Sequence, residues 1–283
     1  MKLLFIFKTN FKMNCIFKKH LMIHYNYPNK ILITGCCLHN MAEISFDEFI
    51  NSSWEDLANL RLKTSIRDKN YCKDICNFQQ INEISLGIIK SCNLNCYHCS
   101  SHIIKDKKIL DDSEKYIIQI FNKIKSLKNL RLIALDGTGE IFTRYNLLKD
   151  FLSDINSSNT HEVQFMTNGM LVTEEKLKEL YIISNTTNIE YTFKFSIDGI
   201  TKQTYELSRP GGNFKTVIKN FINTLKYFPK SGVIFVVKKT NYFEVNKVTS
   251  FFTKLKSAYV EITADFFDKD MLSYLEVPIY HRS

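Results

Sequence analysis

No stretch of the 283-residue chain approaches the roughly 20 consecutive apolar residues that cross a bilayer, so no transmembrane helix is expected. The first residues, Met1 to Lys8, open like a secretory signal. Lys8 interrupts the apolar core after five residues, and no small-residue cleavage site follows. The segment reads as a first strand and the chain as cytoplasmic. Internal repeats and low-complexity tracts are missing. Apolar types at 45% and charged types at 24% exclude a disordered or collagen-like chain. A dedicated nucleic-acid tail is also lacking: 38 basic against 29 acidic residues leaves a net charge of +9. The sharpest absence is cysteine after residue 99. All eight cysteines precede it: Cys15, Cys36, Cys37, Cys72, Cys76, Cys92, Cys96 and Cys99. A secreted disulfide protein of this length spreads its bridges along the chain. Crowding at short spacings points instead to a reducing compartment and to metal.

Residues 82–283 alternate between two periodicities. Short β-rich runs begin near Ile84, Leu130, Val163, Tyr191, Val233 and Tyr259. Between them Ile117, Ile120, Phe121 and Ile124 follow i, i+3, i+4, i+7, as do Leu148, Phe151, Leu152 and Ile155. Phe214 to Leu225 extends the series over three turns. Leu177 to Tyr181 and Val245 to Leu255 complete five intervening helices. Strands separated by helices predict a parallel sheet with right-handed crossovers. Periodicity alone does not choose between a doubly wound sheet and a partial (β/α) barrel.

Residues 1–81 read as a small N-terminal α+β domain. A strand, Lys30 to Thr34, leads to Cys36 and Cys37. A helical segment follows, with Phe46, Phe49, Ile50, Trp54, Leu57 and Leu60 on its apolar side. Ser45 with Glu48, and Ser52 with Glu55, are spaced as capping boxes.

Cys92, Cys96 and Cys99 form a C-x3-C-x2-C triplet directly after the first strand of the second region. Three thiolates on one loop can each take one iron of a cubane cluster and leave the fourth iron open, as a catalytic metal requires. A zinc site completed by His98 or His102, or buried free thiols, are the plainer alternatives. The ends of the later strands carry Asp136-Gly-Thr-Gly-Glu140, Thr167-Asn-Gly169, Ser196-Ile-Asp-Gly199 and Lys238-Lys-Thr-Asn241. In βα barrels the active site gathers at these C-terminal ends, on the same side as the triplet. Turn formation is the plain reading for Asn168 and Asp198.

On these residues the chain resembles the radical S-adenosylmethionine (SAM) superfamily, from Ile81 to the end. The family's C-x3-C-x-aromatic-C loop has His98 at the aromatic position. The resemblance implies an α/β fold with a partial (β/α)6 TIM-like barrel. It implies a 4Fe–4S cluster on Cys92, Cys96 and Cys99, with SAM chelating the open iron. One-electron reduction cleaves SAM in this family to methionine and a 5′-deoxyadenosyl radical, which abstracts a substrate hydrogen. Gly137, Gly139 and Glu140 look like the motif that receives the methionine ammonium, although Ile141 stands where the family often has proline. His98 is expected at the adenine through its backbone. Ser196 resembles the ribose-binding serine of peptide-modifying members, and Arg209 the arginine that pairs the SAM carboxylate. Asn168 is a further candidate for the same pocket. No substrate base or acid can be named.

The N-terminal cysteines resemble the auxiliary-cluster domains called SPASM or twitch, with Tyr27 to Lys30 as the hairpin turn. That resemblance implies a second, closed 4Fe–4S cluster on Cys15, one of Cys36 and Cys37, Cys72 and Cys76; structural zinc is the alternative. The domain commonly follows the barrel, whereas here it precedes it. The expected substrate is a peptide or protein, with a nucleoside, sugar or small metabolite as alternatives. The expected electron donor is of the flavodoxin or ferredoxin type. The rival of another class is a zinc-binding interaction module. His20 and His24 alternate with apolar residues in a strand and read as structural. Clustered lysines at 105–108 and 123–128 read as solvated faces, so no nucleic-acid partner is expected.

Overall fold

The computed structural model describes residues 20–26, 30–34, 42–63, 81–96, 98–99, 107–128, 130–136, 139–155, 160–264 and 280–282. Cys15, Cys36, Cys37, Cys72, Cys76, His102, Gly137, Thr138 and the Met1–Lys8 run lie outside them, and so does the expected turn at residues 27–29.

The parallel sheet predicted from periodicity comprises β4 (Glu83–Gly87), β5 (Leu130–Leu135), β6 (Thr160–Thr167), β7 (Glu190–Ser196), β8 (Gly232–Val237) and β9 (Tyr259–Ala264). The helices between them are α3 (Lys107–Lys125), α4 (Tyr145–Asp154), α5 (Glu174–Thr187), α6 (Lys202–Ser208), α7 (Phe214–Tyr227) and α8 (Val245–Lys254). Of these only the short α6 was not anticipated. It forms because Thr201 and Thr204 cap each other reciprocally, in a stretch too short to show a period.

Strand order settles what periodicity left open. β4 to β9 lie side by side in chain order, each parallel to the next and with no reversal. Right-handed crossovers then place every connecting helix on one face, the arrangement of a partial barrel. Burial agrees. Val163, Phe165, Phe193, Phe195, Val233 and Phe235 are sealed on the helix-covered face. Their alternates, among them Glu162, Gln164, Met166, Lys194, Ser196 and Glu261, are only half-buried. Phe195 meets Phe221 of α7 edge-on at 5.3 Å, and Phe121 of α3 stacks on Phe151 of α4 at 4.0 Å. Each such side chain contributes about 1.5–3 kcal/mol by leaving water. The other face is polar: Thr192 Oγ1 donates to Glu162 at 3.0 Å, and Lys194 Nζ to Glu261 at 2.8 Å. The strand β10 (Tyr280–Arg282) pairs antiparallel with β9 at the far edge.

The N-terminal region extends this sheet. β1 (His20–Asn26) runs parallel to β4, while β2 (Lys30–Thr34) and β3 (Ala42–Ser45) follow antiparallel. The register Asn26↔Lys30 brackets the expected hairpin turn. The expected single helical segment is two helices, α1 (Phe46–Asn51) and α2 (Trp54–Lys63). Ser45 caps the first as predicted, accepting from Glu48 N at 3.1 Å. The second box is Ser53 with Asp56, not Ser52 with Glu55. Ser52 instead closes α1, its N–H donating to Glu48 O at 2.9 Å. Lys123 of α3 fastens the two regions, donating to Ile50 O and Ser52 O beneath the rings of Phe49 and Trp54. The described parts of both regions share one sheet and one core.

Candidate active site

The triplet loop begins after β4 and is tied to two other strand ends and to the segment after α6. Glu140 N donates to Ser91 O at 2.8 Å. Asn168 Nδ2 donates to Asn93 Oδ1 at 2.9 Å, and Asn95 N to Pro210 O at 3.0 Å. The first contact requires glycine at 139. A Cβ there would stand 2.4 Å from Ile89 O and 2.6 Å from Ser91 O, both backbone atoms. The third uses Gly211, whose φ of +89° turns the chain back beside Leu94. Cys92 and Cys96 are half-buried and Cys99 is exposed, and none of the three is in a disulfide. Burial raises the Cys92 and Cys96 thiols above their ordinary pKa, so taking a metal would release protons there.

Glu140 lies almost wholly out of solvent behind this loop. Thr167 Oγ1 donates to it at 2.7 Å, Asn168 N at 2.7 Å and Phe142 N at 3.3 Å. Burial pushes its carboxyl up, and these donors oppose that shift. The resemblance implies a ligand's ammonium at Glu140; the structure shows that its carboxylate joins the end of β5 to the end of β6.

Asp198 is more than a turn residue. Fully buried after β7, it takes Val236 N at 2.9 Å on one oxygen. On the other it meets Lys238 Nζ at 2.8 Å, Arg209 Nη2 at 2.9 Å and His98 Nε2 at 3.4 Å. Desolvation pushes Asp198 up, but the attraction of Arg209, Lys238 and His98 outweighs it and holds the carboxyl at about 2. His98 is pushed down to about 4, chiefly by burial, so its imidazole is neutral at pH 7. Two cations therefore face one carboxylate, and the excess positive charge suits an anionic ligand. Asn241 and Glu244 hold the arrangement still. Asn241 Nδ2 donates to Asp198 O and Val236 O, and Glu244 accepts from Ile200 N and Thr204 Oγ1. Lys238, Asn241 and Glu244 were not given roles from sequence. The strand-end position of Lys238 and Asn241 was visible, but all three have partners about 40 residues away in the chain.

Ser196 is half-buried at the end of β7, in register with Ile234. Arg209 and Asn168 converge on the triplet, with Nη1 of Arg209 3.7 Å from Cys96 Sγ and Nδ2 of Asn168 3.6 Å from Cys92 Sγ. Around this point several buried polar atoms have no partner among the described residues: Arg209 Nε, Ser208 Oγ, Tyr205 OH and His98 Nδ1. Buried polar groups are ordinarily paired, so this set fits a polar ligand that completes it. Among the described residues no three His, Cys, Asp or Glu side chains converge on a single ion. A cubane asks for no such convergence, because each thiolate meets a different iron.

The family model described as "Radical SAM superfamily" matches residues 86–252, more than half of the chain. The chain belongs to the radical SAM superfamily. The family implies a 4Fe–4S cluster and SAM, which the thiols of the triplet loop and the buried polar atoms without a partner among the described residues fit. No curated protein matches the chain by sequence. Among solved structures it is similar to anSMEcpe with bound AdoMet, at 20% identity over 65% of this chain and 49% of that one, with a TM-score of 0.47. It is also similar to Streptococcus suis SuiB bound to precursor peptide SuiA, at 12% identity over 89% of this chain and 63% of that one, with a TM-score of 0.48. The chain thus spans about half the length of the first and under two thirds of the second. Among the described residues no helix is long and apolar enough to cross a membrane.

Proposed function

We propose that this chain reductively cleaves SAM and uses the resulting radical to abstract hydrogen from a peptide or protein. The observation that carries the reading is the convergence of the cysteine loop with four other strand ends. When bound, the cluster and SAM supply a 5′-deoxyadenosyl radical and methionine after one electron arrives from a flavodoxin- or ferredoxin-type donor. Cys92, Cys96 and Cys99 would hold the cluster. Arg209, backed by Asp198 and Lys238, would receive the SAM carboxylate. The loop at Gly137, Gly139 and Glu140 would receive the ammonium, and Ser196 the ribose. Asn168 and the backbone at His98 would complete the pocket. The polar face carrying Gln164, Lys194 and Glu261 begins directly below Ser196 and is the natural wall for a polar substrate. Peptide substrates follow from the resemblance of Ser196, Arg209 and the N-terminal cysteine series to peptide-modifying members. The second cluster, on Cys15, Cys36 or Cys37, Cys72 and Cys76, and a cytoplasmic location belong to the same proposal.

Anaerobic purification with iron quantification tests it. About four irons for each cluster are expected, eight if both form, with reductant-dependent 5′-deoxyadenosine from added SAM. Replacing Cys92, Cys96 and Cys99 together by Ala abolishes that product and leaves any N-terminal cluster. Stoichiometric zinc, no iron and no SAM cleavage would sink the reading.

A further inference from the structure

Asn168 and Arg209 touch the cysteines in a way that neither the motif spacing nor SAM binding requires. The amide of Asn168 has a fixed orientation. Met170 N donates to its Oδ1 at 2.9 Å, which turns Nδ2 toward the cysteine loop. There Nδ2 meets Asn93 Oδ1 at 2.9 Å and Cys92 Sγ at 3.6 Å, the longer contact suited to sulfur's larger radius. Arg209 is fixed from the opposite side. Its Nη2 is held by Asp198 at 2.9 Å, and Asp198 is itself pinned by Val236 N and Lys238 Nζ. That leaves Nη1 3.7 Å from Cys96 Sγ. The two half-buried cysteines of the triplet thus each have one side-chain N–H donor, one supplied from the end of β6 and the other from the segment after α6, each locked by contacts behind it.

An iron–sulfur cluster becomes more negative when it takes an electron. Donors and cations beside its sulfurs stabilise that state, and they are among the factors that set its potential. Arg209 is buried, so its charge is screened less than a surface charge would be. We propose that Asn168 and Arg209 are positioning residues that raise the reduction potential of the cluster on Cys92, Cys96 and Cys99, acting through N–H···S contacts to Cys92 and Cys96, with Asp198 holding Arg209 in place. The inference rests on reading that loop as a cluster site. It adds to the pocket a role exercised before SAM binds, which is to ease the arrival of the electron.

The test is an EPR-monitored titration with dithionite of the anaerobically reconstituted full chain, with no SAM present. Asn168→Ala and Arg209→Gln each move the midpoint to a lower potential. Arg209→Gln moves it further, because it removes a charge as well as a donor, and Arg209→Lys falls between Arg209→Gln and the parent protein. Iron content of the same samples checks the underlying reading separately: a parent protein that takes up no iron removes the cluster itself. Full iron with midpoints unchanged in both Asn168→Ala and Arg209→Gln overturns this proposal alone. Where a variant does not load, the unsubstituted protein decides, prepared with 15N-labelled asparagine and arginine. Pulsed-EPR coupling of side-chain nitrogen to the reduced cluster supports the contacts, and absence of coupling contradicts them.

Discussion

The two ends of the same parallel strands treat charge in opposite ways. At the N-terminal ends the ions stand in water. Arg131 pairs with Glu83 and Glu162 while about half exposed, and Lys230 pairs with Glu190 at 70% exposure. Such pairs contribute little, on the order of 0–1 kcal/mol. At the C-terminal ends Asp198, Arg209, Lys238 and Glu140 are buried. Taking ions out of water costs several kcal/mol each, and even a well-made buried pair is often no more stable than an apolar replacement. A fold that needed only stability would not gather them there. The difference marks the C-terminal end as the working end and the N-terminal end as a solvated base.

The comparison breaks most visibly at Asp198. Replacing it by Ala strands Arg209 and Lys238 without their shared counter-ion. We expect a loss of about 3–5 kcal/mol in denaturant unfolding of the metal-free protein. A loss below about 1 kcal/mol would make this cluster equivalent to the surface pairs.

Acid gives a second, smaller contrast. The folded pKa of Asp198, about 2, lies below the ordinary 3.8. A depressed carboxylate contributes stability that is whole above the unfolded value and disappears as pH falls through the folded one. Asp198 therefore contributes about 2 kcal/mol at neutral pH, lost between roughly pH 4 and pH 2. Unfolding curves of the parent protein and Asp198→Asn across that window check this, since the variant lacks the slope that Asp198 supplies. The smallest effect belongs to the base. Arg131→Ala costs less than about 1 kcal/mol, the loss fades at high salt, and 5′-deoxyadenosine formation is unchanged.

Much of this division is legible in the sequence, and what is not has a physical reason. Apolar periods mark the six parallel strands because each must seal one face against helices. They carry no information on strand order, so the barrel emerges only when β4 to β9 lie in sequence without reversal. The triplet and the polar strand ends stand out because short spacing and chemistry coincide. Asp198 reads equally well as a turn former because its three side-chain partners, His98, Arg209 and Lys238, come from the triplet loop, the segment after α6 and the end of β8. The capping box after α1 slips by one residue for a local reason. Ser52 with Glu55 and Ser53 with Asp56 offer the same chemistry, and the hydrogen bond that ends α1 claims Ser52 first.

The central question is whether SAM reaches an open iron at the C-terminal end of the strands. EPR spectra of the dithionite-reduced, reconstituted protein before and after SAM addition measure that directly. The expected result is a cluster signal that changes on adding SAM, with both signal and change lost at that site when Cys92, Cys96 and Cys99 are replaced by Ala. A signal indifferent to SAM, or one that survives unchanged in that triple variant, would contradict it.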